Sequence, residues 1–218
     1  MAFDTGGAPV VGEWIRAAQP DYPCLIDTRH VVAGLYGMTN VPSAVWIDEA
    51  GCIVRAAENC GSSDAWRFGF DRDTGEMGAG VAADATTRHE IYFAAVRDWA
   101  DKGIGSCHVP REDSAAGGTA LGTDEARAVV IFRLATHLRE CGHVAAARKW
   151  FEHAADLSPR GWRMKRELWT LDDPGNLYAG DFMAEVDALG EEHYYDPPAI
   201  DGMPQQATKR AFGLANDT

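Results

Sequence analysis

The chain has 218 residues, 46% of them hydrophobic and 24% charged, with a formal net charge of −13. That is enough length for a sizeable core in one or two domains, while the acidic balance excludes nucleic acid and anionic membrane surfaces, both of which need basic clusters. No apolar run approaches the roughly 18–20 residues that span a bilayer, and the N-terminus has neither a basic n-region nor an apolar h-region, so no signal peptide is expected.

In chain order, Asp4-Thr5-Gly6-Gly7 reads as a turn and Pro9 to Ala18 as a helix with Trp14 on its apolar face. Pro20 ends that helix. Cys24-Leu25-Ile26 reads as a short buried strand, and Asp27-Thr28 offers an N-cap for a helix running through Val31, Val32, Leu35 and Tyr36. Gly37 stops that helix. Asn40-Val41-Pro42 then breaks the helical pattern, because proline lacks a backbone donor and biases the residue before it away from αR. Ser43 to Asp48 and Cys52 to Ala57 read as two strands joined by a turn at Gly51, where positive φ costs glycine nothing.

Residues 58–86 carry seven turn-forming glycines and serines among Trp66, Phe68 and Phe70, and are expected to be irregular. An exposed set of those aromatics would mark a partner surface. Asp71 to Glu76 reads as a plain glycine turn, since a calcium loop needs more oxygen ligands and a differently placed glycine. Thr86 or Thr87 is expected to cap a helix from Arg88 to Lys102.

Residues 103–122 are a linker by composition. Residues 123–171 read as helices, with Ile131, Leu134, Ala135 and Leu138 as an apolar face, a turn at Gly142, then Ala147, Phe151, Ala154 and Pro159, and a third helix around Trp162, Leu168 and Trp169. Pro174-Gly175 breaks the pattern. Asp181 is expected to cap a short helix through Phe182, Val186 and Leu189, and residues 191–218 to form an extended tail.

Tyr22-Pro23-Cys24-Leu25-Ile26-Asp27, Leu35-Tyr36-Gly37, Val41-Pro42, Trp46-Ile47-Asp48, Gly51 and Gly61 occur in this order over residues 1–61. The set resembles the second half of a thioredoxin-like domain of the TlpA/ResA redoxin type. The resemblance implies a cis Val41–Pro42 bond, a sheet flanked by helices, and Val41, Pro42 and Gly61 facing substrate at the exposed end of the sheet. It also implies thiol–disulfide chemistry. Yet the family's Cys-x-x-Cys pair, which lies upstream of this region, has no counterpart in the sequence. Met1 to Gly7 corresponds to the end of the strand after the redox helix, so the first strand and that helix are expected to be missing. Ala147-x-x-x-Phe151, then Ala154 and Pro159, resembles the second helix of a tetratricopeptide repeat, where small residues let paired helices approach. One copy implies a helical hairpin rather than a peptide-binding solenoid.

Five cysteines (Cys24, Cys52, Cys60, Cys107 and Cys141), odd in number and widely spaced, read as free thiols in a reducing cytoplasm. Cys60, beside Gly61, is the candidate catalytic thiol; Glu58 and Asp64 nearby are expected to raise its pKa. Cys24 and Cys52 read as small buried hydrophobes. Cys107-His108 and Cys141-x-His143 flank a long helix and share no zinc spacing, so no metal site and no cofactor is expected. No nucleophile elbow, P-loop or dinucleotide fingerprint occurs, and Gly117-Gly118-Thr119 lacks the lysine of a phosphate loop.

The expected architecture is α/β: an incomplete thioredoxin-like sheet over residues 1–102, a Gly-rich linker over 103–122, a tetratricopeptide-like helical region over 123–190, and the tail. The expected function is that of a cytoplasmic redoxin-family protein, an oxidoreductase by resemblance with a degenerate active site. The alternative is a non-catalytic interaction scaffold that binds a protein partner or a second copy through the helical extension and the sheet edge.

Overall fold

A computed structural model describes residues 1–2, 6–110, 121–172 and 182–208. Asp4 and Thr5, the Gly117-Gly118-Thr119 stretch, the Pro174-Gly175 break, the Asp181 cap and the last ten residues lie outside the described residues. Eight α-helices and two strands are found among those described: α1 Ala8–Ala18, α2 Val31–Leu35, β1 Ser43–Ile47, β2 Ile53–Asn59, α3 Trp66–Gly69, α4 Ala79–Lys102, α5 Thr123–Glu140, α6 Val144–Leu157, α7 Trp162–Trp169 and α8 Phe182–Ala188. The protein is mixed α/β, and no described helix is long and apolar enough to cross a membrane.

The chain divides into two units that are not contiguous in sequence: Met1–Thr39 with Ala120–Gly180, and Asn40–Thr119 with Asp181–Thr218. This differs from the linear division at residues 102, 122 and 190. The reason is long-range pairing that a linear reading does not reveal. Residues 29–38 make polar contacts with α5 and α7, and residues 186–206 make theirs with residues 40–88.

In the first unit, Gly142 turns α5 back against α6 at a φ of 82°, which glycine reaches without strain. The core between the helices is Ala128, Phe132, Ala135, Ala147, Phe151, Ala154 and Met164. The alanines bring the helices close enough for Phe132 and Phe151 to meet edge-on at 5.3 Å, each phenyl contributing about 1.5–3 kcal/mol by burial. Of the predicted face of α5, Ala135 lies in this core and Ile131 and Leu138 pack against it, but Leu134 is 40% exposed and Phe132 is buried in its stead. Volume decides it, since the large ring fills the space opposite the α6 alanines.

The N-cap position of α2 falls on His30 rather than on Asp27-Thr28, but the Asp27 carboxylate still serves the helix start, its two oxygens accepting from the backbone N–H of Val31 at 2.8 Å and of Ala33 at 3.0 Å. The Cys24–Ile26 strand reduces to a single parallel bridge between Ala2 and Ile26. Glu167 of α7 takes Arg139 at 2.6 Å and His30 at 3.3 Å. Buried Arg163 donates to the Met38 carbonyl at 3.1 Å and stacks over Phe132 at 4.8 Å.

In the second unit β1 and β2 form an antiparallel hairpin, with Ser43 opposite Asn59 and Ile47 opposite Ile53, and register irregularities between. The Val41–Pro42 bond that leads into β1 is cis. A two-stranded hairpin is marginal alone; here its inner face packs on α4 through Trp46, Tyr92, Ala95 and Ile200. Trp46 Nε1 donates to the Tyr92 hydroxyl at 2.9 Å, and that hydroxyl donates to Glu58 at 2.9 Å.

α4 starts nine residues before the predicted Arg88. Its first turns are alanine-rich, and Thr86 and Thr87 are interior, their hydroxyls donating back to the carbonyls of Ala82 at 2.9 Å and Ala83 at 3.0 Å. Asp71 makes the plain turn expected, its carboxylate accepting from the N–H of Asp73 and Thr74. The aromatics of 66–70 are not an exposed patch. Trp66 is half-buried and lies 5.9 Å from Phe182 and 5.3 Å from Tyr194, so this unit's own C-terminal segment covers it.

Candidate functional site

Two constellations in the second unit carry chemistry. The first is the end of the hairpin where the chain enters and leaves. Pairing of Ser43 with Asn59 puts Val41-Pro42 and Cys60-Gly61 on adjoining positions at that end. Val41 and Pro42 are exposed; the Val41 N–H donates to the Asn40 side chain at 2.9 Å and its carbonyl accepts from the Tyr195 hydroxyl at 3.1 Å. Gly61 is buried at a φ of 92°, and a Cβ there would lie 2.9 Å from the Arg88 carbonyl oxygen. Glycine is therefore required on two counts, conformation and space.

Cys60 is half-buried against the Trp46–Tyr92–Ala95 core. Burial pushes its thiol up, a backbone hydrogen bond works the other way, and the Glu58 carboxylate adds to the rise. Asp64, the other acid expected to act on it, is instead turned into the protein, where it accepts from the backbone N–H of Tyr194 and Tyr195. All five cysteines are free thiols. A single thiol held protonated is a poor nucleophile, since the thiolate is the reactive form. Cys52 differs from its expected burial: it precedes β2 in the exposed turn, its N–H donating to Asp48 at 2.7 Å.

The second constellation joins Asp98, in the last turns of α4, to Cys107 and His108 in the turn that follows. One carboxylate oxygen, the Cys107 sulfur and one His108 ring nitrogen all lie within 4.8 Å of one another. Ser106 organises the turn. Its hydroxyl donates to Asp98 at 2.7 Å and accepts the His108 N–H at 3.1 Å. Buried Arg55, clamped on Glu58, donates to the His108 carbonyl at 2.7 Å. Lys102 pairs with the other Asp98 oxygen; hydrogen bonds from Lys102 and Ser106 hold the Asp98 carboxyl below its ordinary pKa. Sequence reasoning singled out Cys107-His108 but missed Asp98. The signal was an acid nine residues upstream on the same side of a helix end, and it reads equally well as the i,i+4 partner of Lys102. Cys141, by contrast, contacts His137 one helical turn back at 3.7 Å.

No protein-family model, no curated protein and no solved structure matches this chain.

Proposed function

We propose that this chain is a thioredoxin-like protein of the TlpA/ResA type that has lost thiol–disulfide exchange and works as a non-catalytic binding module. The order of elements supports the fold reading: helix, parallel bridge, helix, Val-Pro, hairpin, long helix packed on the hairpin. The observation that carries the loss of catalysis is Cys60, a lone thiol whose pKa is raised by burial and by Glu58. Thiol exchange needs a thiolate to attack and a low-pKa thiol to leave, and this site favours neither.

Binding is supported by the hairpin. Among the described residues neither strand has a backbone partner beyond the other strand; Ile47 and Ile53 are exposed beside the acidic turn residue Glu49, and Val41 is exposed at the other end of the hairpin. An open strand edge accepts an added strand. On a chain of net charge −13 the fitting occupant is an extended protein segment with apolar and basic residues.

The test is alkylation of the native chain from about pH 5 to 10, beside Cys60→Ser. Cys60 is expected to react slowly below the ordinary cysteine pKa of about 8.5. A fast thiol at neutral pH that Cys60→Ser removes would restore the redox reading. For the binding half, a peptide alternating valine and lysine should shift backbone amide resonances of residues 43–47 or 53–59. No shift on either strand would remove that half.

A further inference from the structure

We propose that Asp98, Cys107 and His108 form a three-ligand site for a divalent transition metal of the zinc class, with its fourth position open to solvent. The site does not involve Cys60 and stands whether or not the binding-module reading does.

The donor set is one carboxylate oxygen, one thiol sulfur and one imidazole nitrogen, mutually within 4.8 Å. Zinc bond lengths of about 2.0–2.3 Å at tetrahedral angles put ligand atoms about 3.5 Å apart. The remaining gap is within the reach of side-chain rotation at Cys107, which is exposed. Sulfur and imidazole select a borderline ion over calcium or magnesium, which take oxygen. A single thiol is too few for an iron–sulfur cluster. A thiolate and a carboxylate together neutralise a divalent charge, so the loaded site carries no excess charge.

An independent feature points the same way. His108 Nδ1 is shut off from solvent and has no hydrogen-bond partner. Buried polar atoms are seldom left so, and an ion bound through Nδ1 would supply what is missing.

The surroundings hold the ligands in place before any ion arrives. The Ser106 hydroxyl orients the Asp98 carboxylate at 2.7 Å, and Ser106 itself is buried. Its N–H donates to Gly103 at 3.1 Å and its carbonyl accepts from Val109 at 3.2 Å, closing the turn that displays Cys107 and His108. Arg55 fixes the His108 backbone from the hairpin side. Partners of this kind, one step out from the metal, set ligand orientation. The Lys102 charge opposes an ion. Its ammonium pairs with Asp98, but the side chain is 59% exposed, so it can swing into water, and a solvent-facing pair holds little energy.

The experiment uses the full chain, stripped with a chelator and titrated with cobalt(II) and then zinc. One cobalt per chain is expected, with a sulfur-to-cobalt charge-transfer band that zinc abolishes and magnesium does not. Cys107→Ser should lose the band, while Cys141→Ser keeps it. Asp98→Asn and His108→Gln should each weaken zinc binding by ~10-fold or more, and Ser106→Ala by about 10-fold. Lys102→Ala should strengthen it by about 2–5-fold, the competitor having gone. Cys107 is exposed, so Cys107→Ser is expected to fold, as far-UV circular dichroism will check. Absence of stoichiometric binding, cobalt bound without a sulfur band, or equal zinc affinity in Cys107→Ser would each overturn the proposal.

Discussion

Asp64→Asn is the most demanding test of how the second unit is held. The side chain is fully buried, and its two oxygens take the consecutive N–H groups of Tyr194 and Tyr195, both at 2.9 Å. Arg67 stands 3.4 Å from the same carboxylate and His193 3.5 Å from it. Asparagine has nearly the same shape but only one accepting oxygen. Its amide NH2 must face one of the two backbone donors, leaving a buried N–H unsatisfied at about 1–3 kcal/mol. The surviving bond falls from a charge-assisted to a neutral one, about 1 kcal/mol more. Arg67, whose side chain is 4% exposed, loses its carboxylate and is left with the carbonyls of Val186, Gly190 and Glu192 and the Phe68 ring, none of which carries a charge. Breaking a buried pair typically costs about 3–5 kcal/mol, of which the lost hydrogen bonds are a part. The expected loss is therefore about 3–5 kcal/mol, read as a lower urea midpoint in the transition of this unit. Amide exchange at Tyr194 and Tyr195 should accelerate at the same time. A loss under about 1 kcal/mol with an unchanged denaturant slope would refute the reasoning.

Gly61→Ala should destabilise by about 2–4 kcal/mol and Gly51→Ala by about 1 kcal/mol: both have positive φ, 92° and 81°, but only at Gly61 would the new Cβ meet a backbone oxygen, at 2.9 Å. Comparative thermal melts would measure the difference, and equal losses would show the contact to be irrelevant. Burial pushes the Glu167 carboxyl up, but His30 and Arg139 outweigh it and leave the pKa below the ordinary value. A depressed carboxyl contributes stability that is complete above its unfolded pKa, about 4.3, and is lost as pH falls through the lower folded one. Stability measured against pH should drop in that acid window, and Glu167→Gln should flatten the drop. Tyr92→Phe should cost about 1–3 kcal/mol, because Trp46 Nε1 then has no acceptor and Glu58 loses a donor. Tryptophan fluorescence during urea unfolding reports it, and a loss within error would refute the role given to that hydroxyl.

What the sequence showed was local. The hairpin could be read because Pro42 and Gly51 bound two runs of strand formers, and Gly142 because a turn between alanine-spaced helices needs it. The start of α4 was hidden by Gly75, Gly78 and Gly80, which read as loop, and by two threonines that could equally cap a helix or bond back inside one. On the face of α5 one position was misjudged, Leu134 for Phe132, because leucine and phenylalanine score alike on periodicity, and only the opposing alanines of α6 say which belongs inside. The anchoring of residues 186–206 was invisible for a different reason. Its determinants are buried side chains more than a hundred residues upstream, and no local pattern announces a guanidinium aimed at a distant carbonyl.

That anchoring also bears on what the surface can bind. Arg55 reaches the Ala199 carbonyl at 3.2 Å, Arg67 reaches Val186, Gly190 and Glu192, and Arg88 reaches Pro204 at 3.0 Å and Gln205. Carbonyls satisfy a guanidinium's donors without neutralising its charge, so each arginine keeps one carboxylate close by: Glu58, Asp64 and Asp84. Three positive and three negative charges are thus spent inside, leaving the net −13 to be borne by the rest of the chain. The potential outside is negative, and the ligands it favours are cations. A basic strand on the hairpin and a divalent ion at Asp98 both meet that condition, but salt should separate them. Attraction between exposed charges falls off over a Debye length of about 10 Å at 0.1 M and about 3 Å at 1 M. Peptide binding should therefore weaken steeply with salt, while zinc, held by direct bonds to sulfur and nitrogen, should weaken little. A zinc affinity that fell in parallel with the peptide's would mean the ion is held by the field alone and not by the three named ligands.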